Sequence, residues 1–179
     1  MLDYQVQETE QAETLDERVI EIARVAKVVK GGRRFQFRVT LIMGDNHGMV
    51  GMGVGKANAV PDAMRKATDK ARKDMHKINL SGTTIPHLSM GKVGGALIML
   101  KPASQGTGVI AGGGVRAVLE AVGIHDILTK SLGSSNVLNS VQATLEALGA
   151  LKSPQEEAAR RGKSVEELLP YWERRKKHG

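Results

Sequence analysis

The stretch from Lys30 to Lys56, KGGRRFQFRVTLIMGDNHGMVGMGVGK, limits the possible folds more than any other part of the chain. Residues 33 to 43 alternate. Phe35, Phe37, Val39, Leu41 and Met43 fall on one side, and Arg34, Gln36, Arg38, Thr40 and Ile42 on the other. A period of two specifies a strand with one face in a core. The outward face carries two arginines, with Arg33 at its start, so the wet side of this sheet is predicted to suit a polyanion. Ahead of it, Arg18 to Val29 is rich in Val and Ile and reads as a strand whose imperfect alternation leaves two readings, both faces partly covered or a bulge that shifts the phase. The link Lys30-Gly31-Gly32-Arg33-Arg34 supports two readings. One is a hairpin loop with solvated charges. The other is a group of cations around exposed backbone N–H groups, suited to phosphate oxygens.

Gly44-Asp45-Asn46-His47-Gly48 is a turn by composition. Met49 to Gly55 then reads as a third antiparallel strand, interrupted by Gly51, Gly53 and Gly55. These glycines do not form a mononucleotide loop. Val50 stands where the first glycine would be needed, and Ala57 where Ser or Thr would follow the lysine. They predict flat backbone against which something else lies close. From Asn58 to about Lys77 the spacing predicts a helix capped by Asn58, with Pro61 and Asp62 in its first turn. Val60, Ala63, Met64, Ala67, Ala71 and Met75 make its apolar stripe. Lys66, Lys70, Lys73 and Lys77 make a second, basic stripe, partly offset by Asp62 and Asp69.

Charge placement says more than the total of +7. Residues 1 to 17 hold six acidic and no basic residues, whereas 18 to 38 hold seven basic and one acidic. Residues 56 to 77 add seven basic against three acidic, and 78 to 151 contain only four basic residues. Such segregation predicts a footprint for nucleic acid rather than general solubility. Cysteine is absent, which excludes disulfides and thiolate metal sites. No signal-peptide pattern and no apolar run of membrane-spanning length is present, so a soluble cytoplasmic chain is expected. With aromatics at 3%, the cores must be built from aliphatic residues and methionine.

Beyond Ile78 the texture changes. Ile85 to Leu88 begins an extended segment, Gly94 to Leu100 reads as an apolar strand, and Val109-Ile110 as a very short one. A helix is predicted from about Val115 to Val122, stopped by Gly123. Another extended segment spans Ile124 to Lys130, and a helix capped by Ser135 or Asn136 runs to about Leu148. Strands alternating with helices imply a second α/β layer. The glycines from Gly106 to Gly114 fit a structural turn, a backbone contact to RNA phosphate, or a small-molecule site. In the tail, Ser153-Pro154 and Ser164-x-x-Glu167 mark helix starts. Tyr171, Trp172 and the basic run Arg174 to Lys177 follow. The histidines show no metal-ligand spacing, the central carboxylates have no evident partners, and no serine lies in a nucleophile motif, so no enzyme is expected. The expected units are a flexible acidic N-terminus (1–17), an N-terminal unit (18–79), a C-terminal α/β unit (80–150) and a basic tail (151–179).

Five stretches carry a resemblance. They are RVAKVVKGGRRFQF at 24 to 37, GMGVGKANAVPDAMRKA at 51 to 67, GTTIPH at 82 to 87, LKPASQGTGVIAGGGVRAVLEAVGIHDILTKSLGSSN at 100 to 136, and ATLEAL at 143 to 148. Over about 16 to 149 the chain resembles the bacterial small-subunit ribosomal protein number five family. The departures are Ala23 for the usual Asn, Ala59 for the usual Glu, and Val137 for the usual Pro.

The resemblance implies an α+β fold. Its N-terminal three-stranded antiparallel sheet plus helix would be similar to a double-stranded-RNA-binding domain, and its C-terminal two-layer βαβ domain would be ribosomal domain 2-like. It also implies a structural constituent of the 30S subunit, monomeric within the ribosome. Such a protein would bind 16S ribosomal RNA beside small-subunit proteins four and eight, supporting assembly, the messenger RNA entrance and translational accuracy. The loop at Lys30 to Arg34 would reach the RNA of the neck, where spectinomycin binds. The segment Gly106 to Arg116 would pack on RNA and the protein-four side. The candidate RNA-binding residues are Arg24, Lys27, Lys30, Gly31, Gly32, Arg33, Arg34, Arg38, Lys56, Lys66, Lys70, Lys73, Gly112, Gly113, Arg116 and Lys130. No catalytic residue, metal or cofactor is expected.

Overall fold

The computed structural model describes residues 15–168. The acidic leader before Leu15, and Tyr171, Trp172 and the basic run from Arg174 to Lys177, lie outside the described residues. Strand β1 (Asp16–Val29) and β2 (Gly32–Gly44) form a long antiparallel hairpin whose register shifts between Val19 and Glu21. That shift is a bulge, one of the two readings that the imperfect alternation leaves open. Asp16 and Glu17 belong to this strand rather than to a flexible leader, because they pair with Gly44 and Met43. A turn in which the Asp45 carboxylate accepts from the His47 and Met49 N–H groups, both at 2.8 Å, leads into β3 (Met49–Ala57).

Helix α1 spans Val60–Lys73 and is shorter than its stripe predicts. Ala59 is its N-cap, and no side chain caps it. Asn58 instead accepts a hydrogen bond from Gln36. After Asp74, Met75–Lys77 turns into β4 and pairs with Met49–Gly51, giving the order β1-β2-β3-β4. The N-terminal sheet therefore has four strands rather than three. Lys77 leaves the helical stripe, because it pairs with Met49 on β3.

The three glycines of β3 explain where α1 sits. A β-carbon at Gly51, Gly53 or Gly55 would stand 2.2, 1.8 or 1.9 Å from the carbonyl oxygen of Ala71, Ala67 or Ala63. A strand of glycines thus meets a helix face of alanines, backbone against backbone, with no room for a methyl group. The partner lying close to this flat strand is the helix of the same unit. Val39, Leu41, Met43, Ala57 and the three alanines form the core on this side.

The second half is built from β5 (Ser89–Val93), β6 (Ala96–Pro102), β7 (Val109–Ile110), α2 (Gly113–Val122), β8 (Ile127–Ser131) and α3 (Val137–Gly149). Strand order is β5-β6-β8-β7, and β7 and β8 are parallel, joined through α2 as a βαβ crossover. Gly94, expected within a strand, turns the β5–β6 hairpin at φ 56°. Gly123 ends α2 in the left-handed conformation (φ 91°), and Asn136 caps α3 by accepting from the Leu138 and Asn139 N–H groups. Short helices α4 (Pro154–Arg161) and α5 (Val165–Leu168) follow.

The alternation of β2 predicts one wet face along its whole length. That holds only for its first half. Thr40 and Ile42 are fully buried. Ile42, Val50 and Met52 share a core with Ile98, Leu100, Val118, Leu119 and Leu148 of the second half. The contact is close. A β-carbon at Gly44 would stand 2.0 Å from the Ala121 carbonyl, and Asn46 N and Gly48 N donate to the carbonyls of Ala121 (3.1 Å) and Val122 (2.9 Å). The N-terminal sheet is therefore covered by α1 on one face and by α2 on the other.

Candidate nucleic-acid interface

Strand β3 first meets β2 at the pair Phe37–Ala57. Everything between Val25 and Gln36 is consequently a two-stranded finger with no third strand beside it among the described residues. Residues 30 to 36 are exposed, as is Val28 at 75%. Gly31 (φ 88°) supplies the turn at the tip, in a conformation that β-branched or bulky residues avoid. Cross-strand pairs share a face. Lys27 stands opposite Arg34, whereas Arg33 stands opposite Val28, and Arg24 opposite Phe37. The finger therefore presents cations on both faces rather than on one. Arg24 lies over the Phe35 ring, 3.9 Å from its centre, which holds the guanidinium in place and covers part of an exposed aromatic.

Arg38 differs from its neighbours on the finger. Its Nη2 donates to Glu21 at 3.1 Å, and it is only partly exposed. It belongs to the base, where it pairs in register with Lys56. Beyond Gly51 the outer edge of β3 has no strand partner among the described residues. Lys56, Lys66 and Lys70 line a cleft over that edge with Val54 and Asp69. The Lys70 ammonium donates to the Val54 carbonyl at 3.0 Å, covering an edge that would otherwise invite another strand. Lys73 lies in the last turn of α1, where a cation suits the helix dipole. The Arg38–Lys56 pair thus joins the finger to the lysine cleft at the finger's base.

The remaining candidates lie elsewhere. Gly112 is the N-cap of α2, and both it and Gly113 are exposed with open space around them. Arg116 donates to the Val109 carbonyl at 2.9 Å and pairs with Glu120 at 3.3 Å. Glu120 also accepts from Arg18, which reaches across from β1 and is held in turn by Asp16 at 2.8 Å. These carboxylates raise the Arg18 pKa, the Asp16 hydrogen bond most of all and against the opposing effect of burial. Nothing in the sequence around Arg18 marks it as a bridge between the two halves, and it is not among the candidates above. Lys130 pairs with Met99, on the face of the second sheet opposite Ile98 and Leu100, and is not gathered with the others.

The first part of the glycine segment, the Gly106–Gly108 turn ahead of β7, is already engaged. The buried Asp126 carboxylate accepts from Gly106 N (2.9 Å), Gly108 N (3.0 Å) and the Thr83 hydroxyl (2.7 Å). The Gly108 and Thr83 bonds outweigh burial and hold its pKa below the usual aspartate value. Of the loop's N–H groups, those of Gly106 and Gly108 are therefore not free for RNA or nucleotide phosphate. Among the described residues no group of His, Cys, Asp and Glu side chains is arranged to hold a metal ion. No described helix is long and apolar enough to cross a membrane.

Comparison with known proteins covers most of the chain. A family profile described as "Ribosomal protein S5, N-terminal domain" matches residues 15–79, and one described as "Ribosomal protein S5, C-terminal domain" matches residues 91–161. The small ribosomal subunit protein uS5 of Nocardia farcinica (strain IFM 10152) is 54% identical over 154 residues, which are 86% of this chain and 71% of that protein.

Proposed function

The chain belongs to the ribosomal protein S5 family, and from that premise we propose how its surface serves the small ribosomal subunit. It is a ribosomal, RNA-binding protein of translation, structural rather than catalytic. Its work is electrostatic and geometric. The finger inserts between segments of 16S ribosomal RNA in the neck, and Lys27, Lys30, Arg33 and Arg34 neutralise phosphates on both sides of it. The lysine cleft of Lys56, Lys66 and Lys70, with Arg38 between, extends the contact along the finger's base. Gly112, Gly113 and Arg116 form a second contact at the start of α2, on the side of small-subunit protein four, with protein eight as the other protein neighbour. Held in this way, the protein supports 30S assembly, the messenger RNA entrance and decoding accuracy.

The observation that carries this reading is the finger itself. Its cations stand on both faces of a two-stranded ribbon that has no third strand beside it among the described residues. RNA of A-form geometry is met largely through phosphates and 2′-hydroxyls, because its major groove admits side chains poorly. Reconstitution tests the reading. Chain in which Lys30, Arg33 and Arg34 are replaced by Ala should enter 30S particles poorly, and should wash from them at lower salt than the unaltered chain. Equal retention after a high-salt wash would remove the finger from the interface.

A further inference from the structure

Backbone N–H groups that converge in a glycine-bearing turn, such as the one at Gly106–Gly108 ahead of β7, can seat an oxyanion. In this chain the seat is filled from within. Gly106 (φ 90°) and Gly108 (φ 78°) adopt conformations that favour glycine, with open space where a side chain would stand. What those conformations achieve is to aim two N–H groups at one oxygen of Asp126, at 2.9 and 3.0 Å, while the second oxygen accepts from Thr83 at 2.7 Å. Asp126 is 4% exposed. The knot is closed by backbone. His125 N and Asp126 N donate to the Thr83 carbonyl at 3.0 and 3.1 Å, and Ile127 N donates to the Gly108 carbonyl at 3.1 Å. One carboxylate therefore ties together three segments distant in sequence: the joint between the two sheets, the glycine loop, and the chain leaving α2.

We propose that Asp126 is an internal oxyanion, occupying the place in the glycine loop that a phosphate or free carboxylate would take, and that it is the positioning residue for that loop. The proposal goes beyond the RNA-binding reading and does not depend on it. It gives the loop a fixed shape before any partner arrives. It also leaves the contacts of this region to Gly112, Gly113 and Arg116, because the N–H groups of Gly106 and Gly108 are already used.

The test is chemical rescue in the full chain. Asp126→Ala should empty the seat and speed amide exchange at Gly106 and Gly108 by about tenfold or more, since each loses a hydrogen bond to a charged acceptor. Sodium formate, a carboxylate small enough for the vacated space, should restore protection at those two amides. Sodium chloride at the same ionic strength should not. Unchanged exchange in the variant, or lost protection that formate fails to restore, would overturn the proposal. If Asp126→Ala does not fold, the unaltered chain still decides the matter. Its Gly106 and Gly108 amide resonances should both follow a single carboxyl titration below the ordinary aspartate range. Resonances that ignore that titration would show that the loop is held by something else.

Discussion

The carbonyl oxygen of Ala67 stands 1.8 Å from the point that a β-carbon on Gly53 would occupy. Neither atom belongs to a flexible side chain, so neither can yield without moving a helix off a sheet. Gly53→Ala should therefore destabilise the chain by about 3 kcal/mol or more, lowering Tm by on the order of 10 °C. Gly149, at the end of α3 with open space around it, is the control. Gly149→Ala should be neutral or stabilising by up to about 1 kcal/mol. Thermal denaturation of both variants checks the pair, and equal melting temperatures would contradict the seam.

The finger should lose affinity without losing fold. Replacing Lys30, Arg33 and Arg34 together by Ala removes charges that are all exposed at the tip of a two-stranded ribbon. Each change should alter stability by less than about 0.5 kcal/mol. The slope of log affinity for 16S RNA against log salt should become shallower by about two to three, about one for each phosphate left without its cation. Arg38→Ala should differ by costing stability as well, because it strands Glu21 and loosens the base of the sheet, and it should make the slope shallower by at most about one. Filter-binding titrations over a salt series separate the two patterns.

The two halves should be coupled through Arg18 and Glu120. These side chains are 32% and 36% exposed, so solvent screens much of their attraction. A double-mutant cycle with Arg18→Met and Glu120→Gln should give a coupling of about 0.5–1 kcal/mol in urea denaturation, shrinking as salt rises. A coupling of zero at low salt would mean that the shared core alone joins the halves.

Acid should loosen the chain at two named carboxylates. Asp126 is held below its ordinary pKa by Gly108 N–H and the Thr83 hydroxyl. Burial pushes the Glu157 carboxyl up, but hydrogen bonds from Arg161 and Arg160 outweigh it and bring it below its ordinary value. A carboxyl whose folded pKa lies below its unfolded one contributes stability in full above the unfolded value, and loses it as pH falls through the folded one. Urea midpoints should therefore fall below about pH 4. In Asp126→Asn the fall should be shallower, and Glu157→Gln should flatten it further. Parallel pH curves for all three chains would exclude these groups as its source.

Much of the local architecture is legible in the sequence. The alternation of Arg33 to Met43, the stop at Gly123 and the cap at Asn136 all act within a few residues of the chain, so local pattern is enough to reveal them. The flatness of Gly51, Gly53 and Gly55 is legible too, and so is the concentration of cations between Arg24 and Arg38. Tertiary structure decides what these features meet. Whether flat strand receives RNA or a helix depends on where Ala63, Ala67 and Ala71 lie in space. Whether Ile42 is wet depends on α2, which comes more than 70 residues later. Whether the glycine loop is empty depends on Asp126, whose carboxylate arrives 18 and 20 residues after the amides it binds. Periodicity reports which face of a segment is apolar or charged. Only the folded chain brings distant segments to within hydrogen-bonding distance, and those meetings fix what each face is for.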